Sequence, residues 1–396
     1  MFDVTIQQYV LMKALEYLEP TVGKNNTGLG DNCISMKTTG NNSIEMYTTN
    51  TLEFTKLEAI TTSVNTSIDQ APYVDFKRFK GIISSIPGNE IVTLKANVND
   101  LLISFSLKKP IKLVGCNNGM ICLPTNQFAS SDTITIPTGI IQQGVNNVCN
   151  IIIDNLSAPI YNCMRIETNK MNIEMSALDM TNKRTFVQSV TGYNNNPQKE
   201  ILIEASKLKK SLKIFEDYDD LELNMDNTVV RIDGTSQIPA YRQKANGMIE
   251  NISYYARRLT GAFPNNIKAH LNPLPTKFCE INKEELKNCF IRIKAIEDQN
   301  NGGIVGFEAN NNNLTVTLNS AFGNIEDTIT MENSISSSFK TMFKYNSLND
   351  IMKVIDNDTF EIGALPNHPT NYVVKSKGSN DVMFTIPTML GASSTP

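Results

Sequence analysis

The sequence predicts an α+β protein of three similar domains, each with two helices packed on antiparallel sheets. Three observations carry this. Short blocks recur in the same order at nearly constant spacing, strand-like alternation outweighs helical periodicity within each copy, and Pro-, Asn- and Ser-containing stretches separate the copies.

The first block is a short strand running into an amphipathic helix. It superposes Ile6, Ile136 and Ile281, then Leu11, Ile141 and Leu286, then Leu15, Val145 and Phe290, at offsets of 130 and 145 residues. The second is a strand, in NSIEMYTTN, MNIEMSALD and NNLTVTLNS, where Ile44/Met46, Ile173/Met175 and Leu314/Val316 face one side, at offsets of 129 and 141. The third is a strand and helix that superposes Phe79, Leu208 and Leu348, Ile83, Leu212 and Met352, and Ile86, Phe215 and Ile355, at offsets of 129 and 140. Further strands follow each third block. A unit this long is a domain and not a solenoid repeat. Boundaries fall in CLPTNQFASSD and FPNNIKAHLNPLPT, giving domains 1–127, 128–268 and 269–396.

With few helices and many strands per copy, the exposed helix faces carry information. The first-block helices present Lys13, Gln142/Gln143 and Lys283/Lys287. The third-block helices present Lys77, Arg78 and Lys80, then Lys207, Lys209, Lys210 and Lys213, then Lys353. Each face alone is an ordinary soluble surface, but recurrence on equivalent helices makes one basic lining if the helices point inward, attracting phosphates without base readout. A net charge of −4 argues against general nucleic-acid stickiness and not against a local patch. The acidic run Glu216 to Asp220 reads as a solvated turn.

Other classes have little to work with. The opening MFDVTIQQYVLMKALEYLEP is neither a signal peptide nor a membrane span, so a cytoplasmic protein is expected. The 7 cysteines contain no CxxC pair and read as free buried thiols; His270 and His368 read as loop residues. No metal or cofactor site is expected. P-loop, HExxH and GxSxG motifs are missing, and Gly28-Leu29-Gly30 lacks a third glycine, so no catalytic residue is assigned. A repetitive β-rich structural protein, such as a virion component, is the alternative to a nucleic-acid-binding one.

The whole chain resembles the bacterial-type DNA sliding clamps, the DNA polymerase III β-subunit family. VTIQQYVLMKALEYL, IEMYTTNTLEFTKLEAI, RQKANGMIENISYYARRLTGAFPN and VMFTIPTML carry the resemblance by their order and spacing. It implies a homodimeric ring around double-stranded DNA, helices lining the hole and sheets outside, acting as a processivity factor for a DNA polymerase and placed by a clamp loader. Edge strands would pair between protomers, with Ile111, Leu113, Ala295 and Ile296 at that interface. Lys24 and Lys207 match DNA-contacting positions. A partner-peptide groove is implied at Tyr161, Leu178, Asp179, Arg184, Thr185, Pro264, Phe384, Ile386, Pro387, Thr388 and Leu390. Where the family reads Thr-Asp-Gly-His-Arg-Leu, this chain has the longer Leu178 to Thr185 run, and it continues past Leu390 with GASSTP. Both departures mark a divergent member, of the kind encoded by a phage or plasmid.

Overall fold

The computed structural model describes the chain except residues 1, 24–30, 41, 51, 68–69, 98, 107, 117–132, 152–157, 170–171, 180–183, 192–197, 227, 236–247, 258, 260–262, 265–270, 297–302, 336–337, 380 and 390–396. The elements open with β1 (Phe2–Gln7), α1 (Gln8–Leu18), β2 (Cys33–Thr38), β3 (Ser43–Thr49), β4 (Glu53–Ile60), the two-residue β5 (Ser63–Val64), β6 (Val74–Asp75), α2 (Phe76–Ser84), β7 (Ile91–Ala96), β8 (Asp100–Phe105) and β9 (Ile111–Val114). Then come β10 (Ile134–Pro137), α3 (Thr138–Ile151), β11 (Cys163–Thr168), β12 (Asn172–Asp179), β13 (Arg184–Thr191), β14 (Lys199–Glu204), α4 (Ala205–Leu212), β15 (Asp220–Met225), β16 (Val229–Thr235) and β17 (Ile249–Arg257). The last series is β18 (Cys279–Asn282), α5 (Lys283–Ile296), β19 (Ile304–Asn310), β20 (Asn313–Ser320), β21 (Gly323–Thr330), β22 (Phe339–Lys344), α6 (Tyr345–Val354), β23 (Thr359–Leu365), β24 (His368–Ser376) and β25 (Val382–Pro387). Apart from β5, one succession runs three times: strand, helix, four strands, helix, three strands.

These copies do not coincide with the compact bodies. One unit comprises 1–142 with 207–258, the other 143–206 with 259–396. The sheets explain the difference. In the first unit, a five-stranded sheet runs β5-β1-β7-β8-β9, and an eight-stranded sheet runs β10-β15-β16-β17-β4-β3-β2-β6. In the second, an eight-stranded sheet runs β14-β11-β12-β13-β25-β24-β23-β18, and a four-stranded sheet runs β21-β20-β19-β22. Each eight-stranded sheet fuses half of one copy to half of the next, through β17 on β4 and β25 on β13. Residues 127 and 268, where boundaries are expected, lie outside the described residues.

Every position superposed in the three sequence blocks is buried, with at most 5% exposure. Each such side chain contributes on the order of 1.5–3 kcal/mol relative to an exposed one. Helix α2 starts at Asp75, whose carboxylate accepts from the Arg78 backbone N–H at 2.9 Å. Such a cap contributes about 1 kcal/mol. The second linker departs from expectation. Phe263 and Leu271 are buried and Leu274 packs beside them, because this segment covers an apolar sheet face. His368, read as a loop residue, opens β24.

Cys33, Cys163, Cys279 and Cys289 are buried, Cys116 and Cys149 are half-buried, and Cys122 lies outside the described residues. Burial pushes both Cys279 and Cys289 up to about 12, and nearby Asp327 adds to the shift at Cys289. At pH 8 their thiolate fraction is about one in ten thousand. Alkylation of the native protein by iodoacetamide at pH 8 should leave Cys279 and Cys289 unmodified by mass spectrometry, and unfolding in guanidinium should expose both.

Candidate nucleic-acid and partner interfaces

The basic helix faces separate into paired and unpaired cations. On α2, Lys77 and Arg78 are exposed, while the half-buried Lys80 holds Glu19 at 2.7 Å. On and just after α4, Lys209, Lys210 and Lys213 are exposed. Lys207 is only 8% exposed, a correction to the sequence reading. It precedes by one turn Ser211, which is fully buried, and so lies toward the packed side of α4. Lys353 on α6 is held by Asp350 at 2.9 Å and Lys287 on α5 by Glu284 at 3.5 Å. On α1, Lys13 lies 3.6 Å from Glu16 and 4.8 Å from the Tyr17 ring centroid. Among the described residues, Lys77, Arg78, Lys209, Lys210 and Lys213 meet no carboxylate, so these five are available to an outside anion. Lys24 lies outside the described residues. In the acidic turn, Asp217 accepts from the Tyr17 hydroxyl at 3.1 Å; burial and this carboxylate raise the phenol above its ordinary range.

The expected groove residues all belong to the second unit, and strand alternation divides them between two faces. The registers pair Leu178 with Thr185, Asp179 with Arg184, and Thr185 with Thr385. One face carries an apolar cluster of Val187, Leu202, Phe263, Leu271, Val373 and Met383, with Ile160 and Leu178 packed beside it. The opposite face carries Phe186 and Phe384, whose ring centroids are 5.5 Å apart. Phe384 and Ile386, 1% and 0% exposed, lie in the core on the face opposite that cluster. Met383 belongs to the cluster, since neighbouring residues along a strand point to opposite faces. Alternation in VMFTIP shows that two faces exist, but nothing local says which one the linker covers.

Arg184 and Asp179 form a buried ion pair at 3.0 Å, with side chains 3% and 1% exposed, and Asp350 adds a second carboxylate to Arg184 at 3.4 Å. The pair is thus built into the framework on the face opposite the cluster. Tyr161 sits in the short helical turn Pro159–Asn162, and it, Pro264, Thr185, Pro387 and Thr388 are all half-buried. Leu390 lies outside the described residues.

Of the expected contact residues between protomers, Ile111 and Leu113 lie on a sheet edge and Ala295 and Ile296 at the end of a helix. Strand β9 ends the five-stranded sheet with Ile111 and Leu113 half-buried and Val114 70% exposed. Strand β21 ends the four-stranded sheet and packs on α5, where Ala295 is exposed and Ile296 half-buried. Exposed Ile291 and Phe322 extend this apolar surface, at 66% and 72%, and Arg292 binds Asp327 across it. Sequence reading missed Val114, Ile291 and Phe322, which no block of the repeat distinguishes.

Three successions of strand, helix, four strands, helix and three strands, joined edge to edge into continuous sheets, define the DNA sliding-clamp fold. Among solved structures, the chain is similar to a putative DNA polymerase III β subunit from Eubacterium rectale, with 16% identity, 98% of this chain and 100% of that chain covered, and a TM-score of 0.84. The Streptococcus pneumoniae DNA polymerase III β chain gives 16%, 98%, 100% and 0.83, and the β subunit from Streptococcus pyogenes DNA polymerase 17%, 98%, 99% and 0.82, in the same order. Neither a protein-family model nor a curated protein matches the chain.

Arg184→Ala should destabilise the protein by about 3–5 kcal/mol, because it removes the cation that offsets a buried carboxylate. Lys209→Ala should change stability by less than about 0.5 kcal/mol. Urea denaturation monitored by circular dichroism measures both.

Proposed function

We propose that this chain is a DNA polymerase processivity factor, two copies of which close head to tail into a ring that encircles duplex DNA and slides along it. The observation that carries the reading is a pair of strand edges left over by the internal joints. The last strand of the second copy pairs with β4, and that of the third with β13. Among the described residues, the equivalent strands β9 and β21 have no partner on those edges. A second copy supplies both, and the same contact repeated by a two-fold axis closes the ring. Closure also removes the hazard of open edges. The domains 1–127, 128–268 and 269–396 would then give six similar domains per ring.

The lining would be the helices, with Lys77, Arg78, Lys209, Lys210 and Lys213, and with Lys24 from its loop, attracting phosphates. Unpaired exposed lysines suit sliding, since they attract the backbone without fixing a register on it. The half-buried Tyr161, Leu178, Thr185, Pro264, Pro387 and Thr388 would take an apolar segment of the polymerase or clamp loader. The role is one of tethering, which works by effective concentration and needs no catalytic group. Such a protein acts in the cytoplasm, and among the described residues no helix is long and apolar enough to cross a membrane.

Light scattering should give twice the chain mass. Once assembled on circular duplex, the protein should remain through a wash and leave when the circle is cut; equal loss from circle and line would sink the ring reading. Changing Lys209, Lys210 and Lys213 together to Gln should weaken DNA association and lower the slope of log affinity against log salt by about one for each phosphate no longer neutralised.

A further inference from the structure

A cleft in the second unit has no part in the roles above. Phe278, Ile335, Phe339, Ile362 and Tyr372 line a cavity of about 210 Å³ between the segment leading into β18, the run leading into β22 and the end of β23. None of them belongs to the expected partner groove. Its walls are fixed from several directions. On the open edge of β18, the Asn333 side chain donates to Phe278 O at 2.7 Å and accepts the Glu280 N–H at 2.9 Å, which ties the run carrying Ile335 to the segment carrying Phe278. On the edge toward β23, a Cβ at Gly363 would lie 2.7 Å from Lys277 O and 2.9 Å from Phe278 Cδ1, so glycine lets that segment lie close against the strand. The Tyr372 ring meets Phe343 edge-on at 5.2 Å and Phe339 at 5.8 Å, and the Lys375 ammonium, paired with Glu361, sits 4.7 Å from the Phe278 ring centre. The cleft is therefore preformed, as small-molecule sites generally are.

We propose that this cleft binds a small aryl carboxylate, with the ring among Phe278, Phe339 and Tyr372 and the carboxylate at the Lys277 ammonium. Size sets the first part of that class. An enclosed apolar cavity of about 150 Å³ holds benzene, so this one takes an aromatic ring with a short side chain. Aromatic walls favour an aromatic guest through edge and face contacts. Charge sets the second part. Lys277 and Ala364 are exposed members of the lining, and among the described residues Lys277 meets no carboxylate. It is the single cation of the described lining, which matches one carboxylate and would leave a second anionic group without a partner. The site is complete within one chain and does not depend on ring closure.

Indole-3-propionate is a suitable probe, because the chain contains 0 tryptophans and indole emission then comes from the ligand alone. Titrating the full-length protein into the probe should raise its fluorescence anisotropy to saturation, with a dissociation constant on the order of 0.1–1 mM. Lys277→Gln, at an exposed position, should weaken binding of the acid about threefold and leave indole-3-propionamide unaffected. Ala364→Leu, which fills the mouth, should abolish binding of both. No saturable binding to the wild-type protein, or binding kept in Ala364→Leu, would overturn the site; equal affinity for acid and amide would overturn the role of Lys277. A peptide ending in Gly-Gly-Trp that bound more tightly than the free acid would assign the cleft to a chain terminus in place of a small molecule. A second measurement needs no variant. A diazirine-substituted benzoate, irradiated with the wild-type protein, should label peptides containing Phe278 or Phe339 and be displaced by indole-3-propionate; labelling only elsewhere would count against the cleft.

Discussion

Main-chain pairing between the last strand of one copy and the third sheet strand of its predecessor is the constraint on which the rest of the protein depends. At β17 on β4 and at β25 on β13 the ladder continues across the repeat, so two half-copies share one sheet. Backbone groups supply these bonds, and the side chains need only be apolar on the buried face and compatible with strand geometry. The two joints accordingly use different side chains. One buries Tyr254, whose hydroxyl donates to Glu53 at 2.7 Å; the other buries a Phe186–Phe384 ring pair. A fold held this way tolerates wide sequence change, which fits its likeness to clamps at 16–17% identity with nearly complete coverage.

Charge is distributed so that the acidic total does not describe the helix surfaces. Lys80, Lys287 and Lys353 are held by neighbouring carboxylates, while Lys77, Arg78, Lys209, Lys210 and Lys213 are not. A cation already paired has less to gain from a phosphate, so the unpaired ones dominate the response to an outside polyanion. This separates electrostatic capacity from net charge.

The second unit joins an apolar surface to a rigid frame. Arg184, between Asp179 and Asp350, ties the start of β13 to α6 directly behind the strands that carry Val187 and Met383. A buried charge held by two partners resists displacement, since moving it would take the offsetting cation from a desolvated carboxylate. The linker residues Phe263 and Leu271 are buried in the same cluster, which gives this connection a part in the core of the second unit.

The threefold repeat, two helices in each copy and the buried residues superposed in its three blocks were legible in the sequence, because periodic burial repeats locally and needs no knowledge of distant partners. Lys209, Lys210 and Lys213 were legible for the same reason. Lys207 was not, since its burial depends on what packs against α4. Nor were the outward faces of β13 and β25: alternation is the same whichever side a linker covers, and the covering residues, Phe263 and Leu271, stand 112 residues or more before Met383 in the chain. Which strands were paired and which edges stayed open was decided by tertiary structure alone, because hydrogen bonds between backbones leave no mark on the order of side chains.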